Sequence, residues 1–311
     1  MFKYITRRMF WSIVTLFTIL ILLFLLLQFL PGTPFNDEKL SETSRALLNA
    51  KYGLDQPFFS RFGIYMKNIL TEFDFGISLS IQRNWMVKNI VLPRLGISVR
   101  IGLQALVLGT FMGIVLGVLS ASKKNTWVDT LATLIAIVGV SIPSYVFALL
   151  LSYIFGFKIP IFSIIFNFND PIKSSILPTI ALSMFVMAQV TRFLRTELIE
   201  VLGSDYIRLV EAKGVTKFKV IYKHGLRNAL ISVVTILGPL TVTLLTGSLV
   251  VEKVYAVPGI GSLLVNGILT NDYNVIVMIA FVYSALYITM NLFVDILYGI
   301  IDPRIRVAKG A

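Results

Sequence analysis

The sequence contains no cysteine and a single histidine, His224. Without thiols there is no disulfide and no cysteine-based zinc site, and one imidazole cannot build a histidine-rich metal cluster. Charge is scarce as well: 14% of the 311 residues are Asp, Glu, Lys or Arg, while 56% are hydrophobic. With a mean hydropathy of +0.83, that balance excludes a soluble domain with a hydrated surface. No stretch has the form G-x-x-x-x-G-K-[ST], so the backbone cradle in which P-loop proteins hold ATP phosphates is missing. If ATP drives this protein, another subunit must hold it. Internal repeats and low-complexity tails are also absent.

What the chain has instead is a succession of apolar runs, which predicts an all-α polytopic membrane protein with six transmembrane helices. Lys3, Arg7 and Arg8 precede an unbroken run from Phe10 to Leu30, enough for the roughly 20 residues that cross a bilayer. A cleavable signal peptide has a shorter apolar part and a small-residue cleavage site, so this run is expected to stay as a first span. Residues 31–94 mix eight basic with six acidic residues. They are expected to form an extracytoplasmic segment with short amphipathic helices at Ala46–Tyr52, Phe58–Leu70 and Trp85–Leu92. Residues 95–311 then form a five-span core.

The second span, Ile97–Leu119, carries Gly109, Gly113 and Gly117 at every fourth position, which lets a neighbouring backbone approach one face closely. The third, Leu131–Phe157, is broken by Ser141-Ile142-Pro143-Ser144, where proline removes a backbone hydrogen bond and bends the helix. That bend either shapes a pathway or is structural only. The fourth span starts at Ile176 and ends past Gln189, with Arg192 and Arg195 at its exit. The fifth, Ala229–Val251, carries Thr235, Thr241, Thr243 and Thr246, hydroxyls that line a wet path or bond back to their own helix. After an outer loop in which Pro258-Gly259 predicts a tight turn, the sixth span runs from Val275 to Ile301. It contains Asp295, the only carboxylate inside any predicted span, either a functional group or half of a salt bridge with Arg304 or Arg306. Sixteen Lys and Arg fall on the side of the N-terminus and three in the short loops opposite. That bias places both termini in the cytoplasm and accounts for the formal charge of +12. Lipid is thus the expected surroundings, and nucleic acid is not an expected partner.

One stretch is charged where its surroundings are oily: Ser204–Asn228, inside the loop 195–228. Ser204 or Asp205 can cap a first helix on which Tyr206, Leu209 and Val210 share a face, and Gly214 can end it in a left-handed turn. Thr216 can cap a second helix, with Phe218, Ile221 and Tyr222 at positions i, i+3 and i+4. Such a helix-turn-helix either docks on a partner or rests on anionic lipid headgroups.

Glu211-Ala212-Lys213-Gly214, followed ten residues on by His224-Gly225-Leu226-Arg227-Asn228, resembles the cytoplasmic EAA loop of ABC importer permeases. Further matches are Leu30-Pro31-Gly32-Thr33-Pro34, Tyr52-Gly53-Leu54-Asp55-Gln56-Pro57, Ser141-Ile142-Pro143-Ser144, Val257-Pro258-Gly259-Ile260-Gly261 and LYGIIDPRIR at 297–306. Together they span nearly the whole chain and are most similar to the oligopeptide, dipeptide and nickel branch of that family. Lys213 departs from the alanine usual at its position, a substitution associated with the peptide-type branch.

The resemblance implies a permease subunit in a prokaryotic cell membrane, forming half of a pathway for oligopeptides or dipeptides. Nickel or a metal chelate is the alternative cargo. Its implied partners are a second, similar permease, an extracytoplasmic substrate-binding protein and two cytoplasmic ATPase subunits, which would hold ATP and Mg. This chain would bind no cofactor and catalyse nothing. Asp205, Tyr206, Glu211, Ala212, Gly214, Phe218, Ile221, Tyr222, His224 and Asn228 become candidates for contact with the ATPase. Ser141, Pro143, Gln189, Thr243, Thr246, Pro258 and Gly259 become candidates for the pathway. Two other classes remain in view. An ion-coupled secondary transporter would have to use Asp295 as its relay, and an intramembrane hydrolase would have to use His224.

Overall fold

The computed structural model describes residues 2–29, 43, 56–245 and 249–301. The motifs at 30–34 and 52–55, the helix expected at Ala46–Tyr52, Thr246 and the segment after Ile301 lie outside the described residues, as does the side chain of Asp295. Among the described residues the chain is helical, with one isolated antiparallel bridge between Ile77 and Met86. Among the described residues, five helices are long and apolar enough to cross a membrane: Thr6–Leu25, Val87–Ser122, Pro171–Leu202, Lys217–Leu245 and Tyr273–Val294. A sixth candidate is the pair Trp127–Ser141 and Ser144–Lys158, bent by 104°.

The chain divides into two compact units. One holds the described residues within 2–97 and 258–289. It contains α1 (Phe2–Phe29), α2 (Phe58–Glu72), the start of α3 (Val87–Ser122), α12 (Ile260–Leu269) and the first part of α13 (Tyr273–Ile301). Tyr65, Met66 and Ile69 from α2, Val87, Ile90 and Val91 from α3, and Ile260, Leu263, Met278 and Ile279 bury one another in a continuous apolar core. The burial of Val87, Ile90 and Val91 corrects one expectation: Trp85–Leu92 is no separate helix. Their packing holds the turn in α3, which continues through Pro93 for 36 residues. Propensity yields here to tertiary contacts.

The other unit holds the described residues within 98–257 and 290–301. Its elements are the rest of α3, α4 (Trp127–Ser141), α5 (Ser144–Leu151, continued as a π-helix over Ser152–Lys158), α6 (Pro171–Ser174), α7 (Ile176–Leu202), α8 (Asp205–Ala212), α9 (Lys217–Lys219, continued as a π-helix over Val220–Gly225), α10 (Leu226–Leu245) and α11 (Leu249–Val254). The apolar part of α7 is 72% buried, against 33–39% for those of α3, α10 and α13, and α4, α5 and α10 all pack on it. The glycine stripe of α3 explains how α7 reaches the centre. A Cβ added at Gly109 would stand 2.7 Å from the Val186 Cβ, and one at Gly117 would stand 3.0 Å from the Leu194 Cβ. The bare faces therefore let α3 and α7 touch almost backbone to backbone.

Between α4 and α5 the chain does not kink but turns a corner. Ile142 (φ −83°, ψ 122°) and Pro143 (φ −57°, ψ 139°) are both extended, because the proline ring excludes the helical region for the residue before it. At the far end of this unit Tyr255 is fully buried and donates its hydroxyl to the Ala148 carbonyl at 2.8 Å, while Ser98 donates to the Glu252 carboxylate at 2.7 Å.

Candidate functional site: the loop between α7 and α10

The loop begins where α7 gives out. Gly203 is the last near-helical residue, Ser204 is extended (φ −74°, ψ 155°), and α8 follows with Asp205 in its first turn. Ser204 stands at the N-cap position but its hydroxyl donates back to the Val201 carbonyl at 2.5 Å, so it does not cap α8. Asp205 is left to favour the positive end of that helix dipole, with an exposed, long contact to Arg208 at 3.4 Å that contributes little. Tyr206, Leu209 and Val210, which share a face by spacing, are not the face that packs inward. Ile207 is the residue that buries completely, and Tyr206 and Leu209 stay exposed.

Gly214 closes α8 as expected, with φ +74° and its N–H donating to the Glu211 carbonyl at 2.9 Å. Nothing lies within 4 Å of the place a Cβ would occupy, so the glycine is required by backbone conformation and not by space. Thr216 is extended ahead of α9, without a side-chain cap bond.

The next turn is wider than an α-helix. Val220–Gly225 is π-helical, a form that gathers at functional sites. Val220 and Ile221 are buried, and a Cβ added at Gly225 would meet Leu198 at 3.0 Å and Leu202 at 3.1 Å. Gly225 thereby seats the π turn against the last turns of α7. Ile221 is thus corrected as a partner contact, since it anchors the loop to its own chain. Phe218 and Tyr222 point the other way. Their rings lie 4.3 Å apart, and both stay exposed at 68% and 45%. Glu211 and Ala212 are also exposed.

Tyr206, His224 and Asn228 come together as a group, a link the sequence did not suggest. The Asn228 amide donates to the Tyr206 hydroxyl at 2.6 Å, which in turn points at the His224 carbonyl at 3.5 Å. This ties α8 to the start of α10 and walls a cavity of about 800 Å³, lined also by Lys223, Arg227, Leu230, Ile231 and Val234.

At the root of the loop lies an ion pair missed from sequence. Arg195 grips Asp129 with two parallel bonds, Nε to Oδ1 at 2.7 Å and Nη2 to Oδ2 at 2.8 Å. Asp129 also accepts from the Ser120 hydroxyl at 2.5 Å and the Asn125 N–H at 2.9 Å. It lies two residues inside α4 and is buried, so Asp295 is not the only carboxylate in a spanning helix. The signal was a lone acid at the head of an apolar run. Arg100, inside α3, was also passed over; its Nε is buried without a partner among the described residues.

Ser141 and Pro143 are exposed at the α4–α5 corner, and Gln189 is half-buried on α7. Thr235, Thr241 and Thr243 each donate to the carbonyl four residues back, at 3.3, 2.7 and 3.1 Å, so these hydroxyls bond back to their own helix. Pro258-Gly259 is also not the tight turn expected. Gly259 is extended (φ −93°, ψ 178°), and the left-handed residue of that loop is Ala256.

The sequence matches the family described as binding-protein-dependent transport system inner membrane component over residues 113–307, and its N-terminal counterpart over residues 1–101. The chain belongs to this permease family. The permease is 41% identical to the dipeptide transport system permease protein of Lactococcus lactis subsp. cremoris over 98% of this chain and all of that protein. It is 39% identical to the Bacillus subtilis protein of the same description, over 99% of each. Against the Escherichia coli K12 oligopeptide transport system permease protein the identity is 37%, over 98% of this chain and all of that one. Among solved structures it resembles an inward-facing MetNI methionine ABC transporter, with TM-score 0.58 and 17% identity over 68% of this chain and 96% of that one. That likeness is one of fold.

Proposed function

We propose that this chain is the permease subunit of a bacterial ATP-driven importer of dipeptides or oligopeptides. It forms half of the pathway and is driven through the 204–228 loop by a separate ATPase. The observation that carries the coupling assignment is the paired Phe218 and Tyr222 rings, exposed on a turn whose other face is locked to α7 by Val220, Ile221 and Gly225. A rigid, aromatic, solvent-facing knob at the end of two spans is a surface that a partner can bury and push. Because the loop is seated on α7 and continues directly into α10, displacing it tilts both helices, which is how closure of an outside motor would open one side of the pathway and shut the other.

The cargo assignment rests on the relatives, which are described as dipeptide and oligopeptide permeases and match over full length. The remaining parts follow from it: a second similar permease, an extracytoplasmic binding protein that does most of the selecting, and two ATPase subunits holding ATP and Mg. Both termini then lie in the cytoplasm with the loop, in line with the excess of Lys and Arg on that side. Nickel or a metal chelate is the alternative cargo for the same machinery. An ion-coupled carrier has less support, since Asp129, the carboxylate found within α4, is held by Arg195.

Affinity purification of the intact complex from membranes, with mass spectrometry of the retained proteins, tests both levels. Recovery of two ATPase subunits with a peptide-loaded binding protein is the expected result. Recovery of a metal-loaded binding protein would replace the cargo, and retention of no ATPase would overturn the mechanism.

A further inference from the structure

The Asp129 cluster does more than hold two helices together. Its bonds come from four places: Ser120 in the last turn of α3, Asn125 in the α3–α4 loop, Thr133 one turn along α4 at 3.5 Å, and Arg195 on α7. The carboxylate is buried and the guanidinium partly so, with side-chain exposures of 6% and 30%. A paired, hydrogen-bonded charge of this kind fixes register, because every alternative placement leaves a buried charge unmatched. The cluster sits nine residues before Ser204, at the end of α7 that feeds the loop. Further along, a Cβ added at Gly139 would stand 2.9 Å from the Ala188 Cβ and 3.1 Å from the Met184 carbonyl. Between Asp129 and Gly139, then, α4 is fastened to α7 at both ends, and just beyond Gly139 the chain turns the 104° corner at Ile142 and Pro143.

We infer that Asp129 and Arg195 are positioning residues of the transport cycle. They lock α3, α4 and α7 into one lever, so that a push on the 204–228 loop is delivered to the α4–α5 corner instead of being lost as sliding between helices. This rests on the coupling reading of the loop proposed above.

The test uses the complete transporter, with both permeases, the ATPase subunits and the binding protein, in proteoliposomes. Membrane abundance, basal ATP hydrolysis, hydrolysis stimulated by loaded binding protein, and peptide taken up per ATP are all measured. Asp129→Asn keeps the size of the side chain and removes its charge. The expected result is normal abundance, ATPase retention and basal hydrolysis, with uptake per ATP lowered about five- to tenfold. Arg195→Lys keeps the charge but loses the parallel fork, and should fall between. A merely structural pair would lower abundance, hydrolysis and uptake in proportion and leave uptake per ATP unchanged, and that outcome overturns the inference. Should Asp129→Asn not accumulate, Ser120→Ala removes one bond and leaves the ion pair. A drop in uptake per ATP of about two- to threefold is then expected, and an unchanged ratio is again fatal. Failure of the unaltered chain to retain any ATPase would remove the coupling reading, and this inference with it.

Discussion

Gly113 on α3 faces Val190 on α7 so closely that a methyl group added at the glycine would stand 2.6 Å from the valine Cβ and 2.8 Å from the Met187 carbonyl oxygen. Both obstacles belong to the buried spine of the unit, so neither can swing away. Gly113→Ala should therefore destabilise by about 1–3 kcal/mol, and Gly113→Val by more. Gly63 on α2 has nothing within 4 Å, and there alanine should be neutral or stabilising by about 0.5–1 kcal/mol. Thermal unfolding in detergent, followed by loss of the monodisperse peak, checks the pair. Equal midpoints for the Gly113 and Gly63 variants would refute close α3–α7 contact.

Gly214 makes the opposite case. Its φ of +74° is hostile to side chains, yet the space around it is empty. Gly214→Val should strain the turn by about 1–2 kcal/mol and misdirect the knob, leaving the protein in the membrane but uncoupling or detaching its ATPase. Gly214→Asn should retain most transport, since asparagine enters the left-handed region with little penalty. Glu211→Lys, a charge reversal on the exposed rim, is expected to act as valine does. Transport and ATPase retention are the readouts.

Two neighbours in the same turn separate folding from docking. Ile221 is buried and Phe218 is 68% exposed, although their spacing puts both on one helix face and the resemblance makes both candidates for contact with the ATPase. Ile221→Ala should cost stability by about 2–5 kcal/mol, as for other large-to-small changes in a packed site. Phe218→Ala should leave the unfolding midpoint within about 0.5 kcal/mol of the original and lower ATPase retention at least about tenfold, the loss of one aromatic anchor. If Phe218→Ala keeps its ATPase, the aromatic pair is not the docking knob.

The contrast also shows what the sequence could and could not convey. Long apolar runs specify spans on their own, so α1, α7 and α13 were legible, as was the glycine stripe of α3. Short helices carry too few residues to fix a phase. In α8 a shift of one position separates Tyr206-Leu209-Val210 from the buried Ile207, and the π turn after α9 changes the period on which the spacing of Phe218, Ile221 and Tyr222 was judged. Asp129 and Arg195 lie 66 residues apart, and no local pattern reports that distance. The Ile142-Pro143 break was visible, but the 104° corner was not, because proline dictates where a helix stops and tertiary packing dictates where the chain goes next.

Tyr255 links pH to stability in a defined direction. Burial pushes its phenol well above the ordinary value of about 10, so the folded protein favours the neutral form that donates to Ala148. The contribution is complete below the unfolded phenol value and is lost as pH rises above it, where the unfolded chain ionises and the folded one resists. Tyr255→Phe should lower stability near neutral pH by about 0.5–1.5 kcal/mol and flatten the alkaline fall of the unfolding midpoint. An alkaline limb of the same slope in the variant would assign it to other groups.

In the unit built from α1, α2 and α12, Asp272 is wholly buried, and its Oδ2 accepts from the Ser78 hydroxyl at 2.5 Å and from the Ser80 and Ile81 N–H groups at 3.2 and 3.1 Å. Its Oδ1 has no partner among the described residues. This asymmetry makes the two obvious replacements unequal. Asparagine can put its oxygen where Oδ2 was and its amide where the idle Oδ1 was, so all three donors stay satisfied. Alanine removes the acceptor from two part-buried N–H groups and from the buried Ser78 hydroxyl, and a fully buried donor left unmet costs about 1–3 kcal/mol. Asp272→Ala should therefore release the 78–81 loop, seen as new protease cuts there, while Asp272→Asn stays resistant. Equal cutting of both variants would mean that the charge, and not the accepting oxygen, holds the loop.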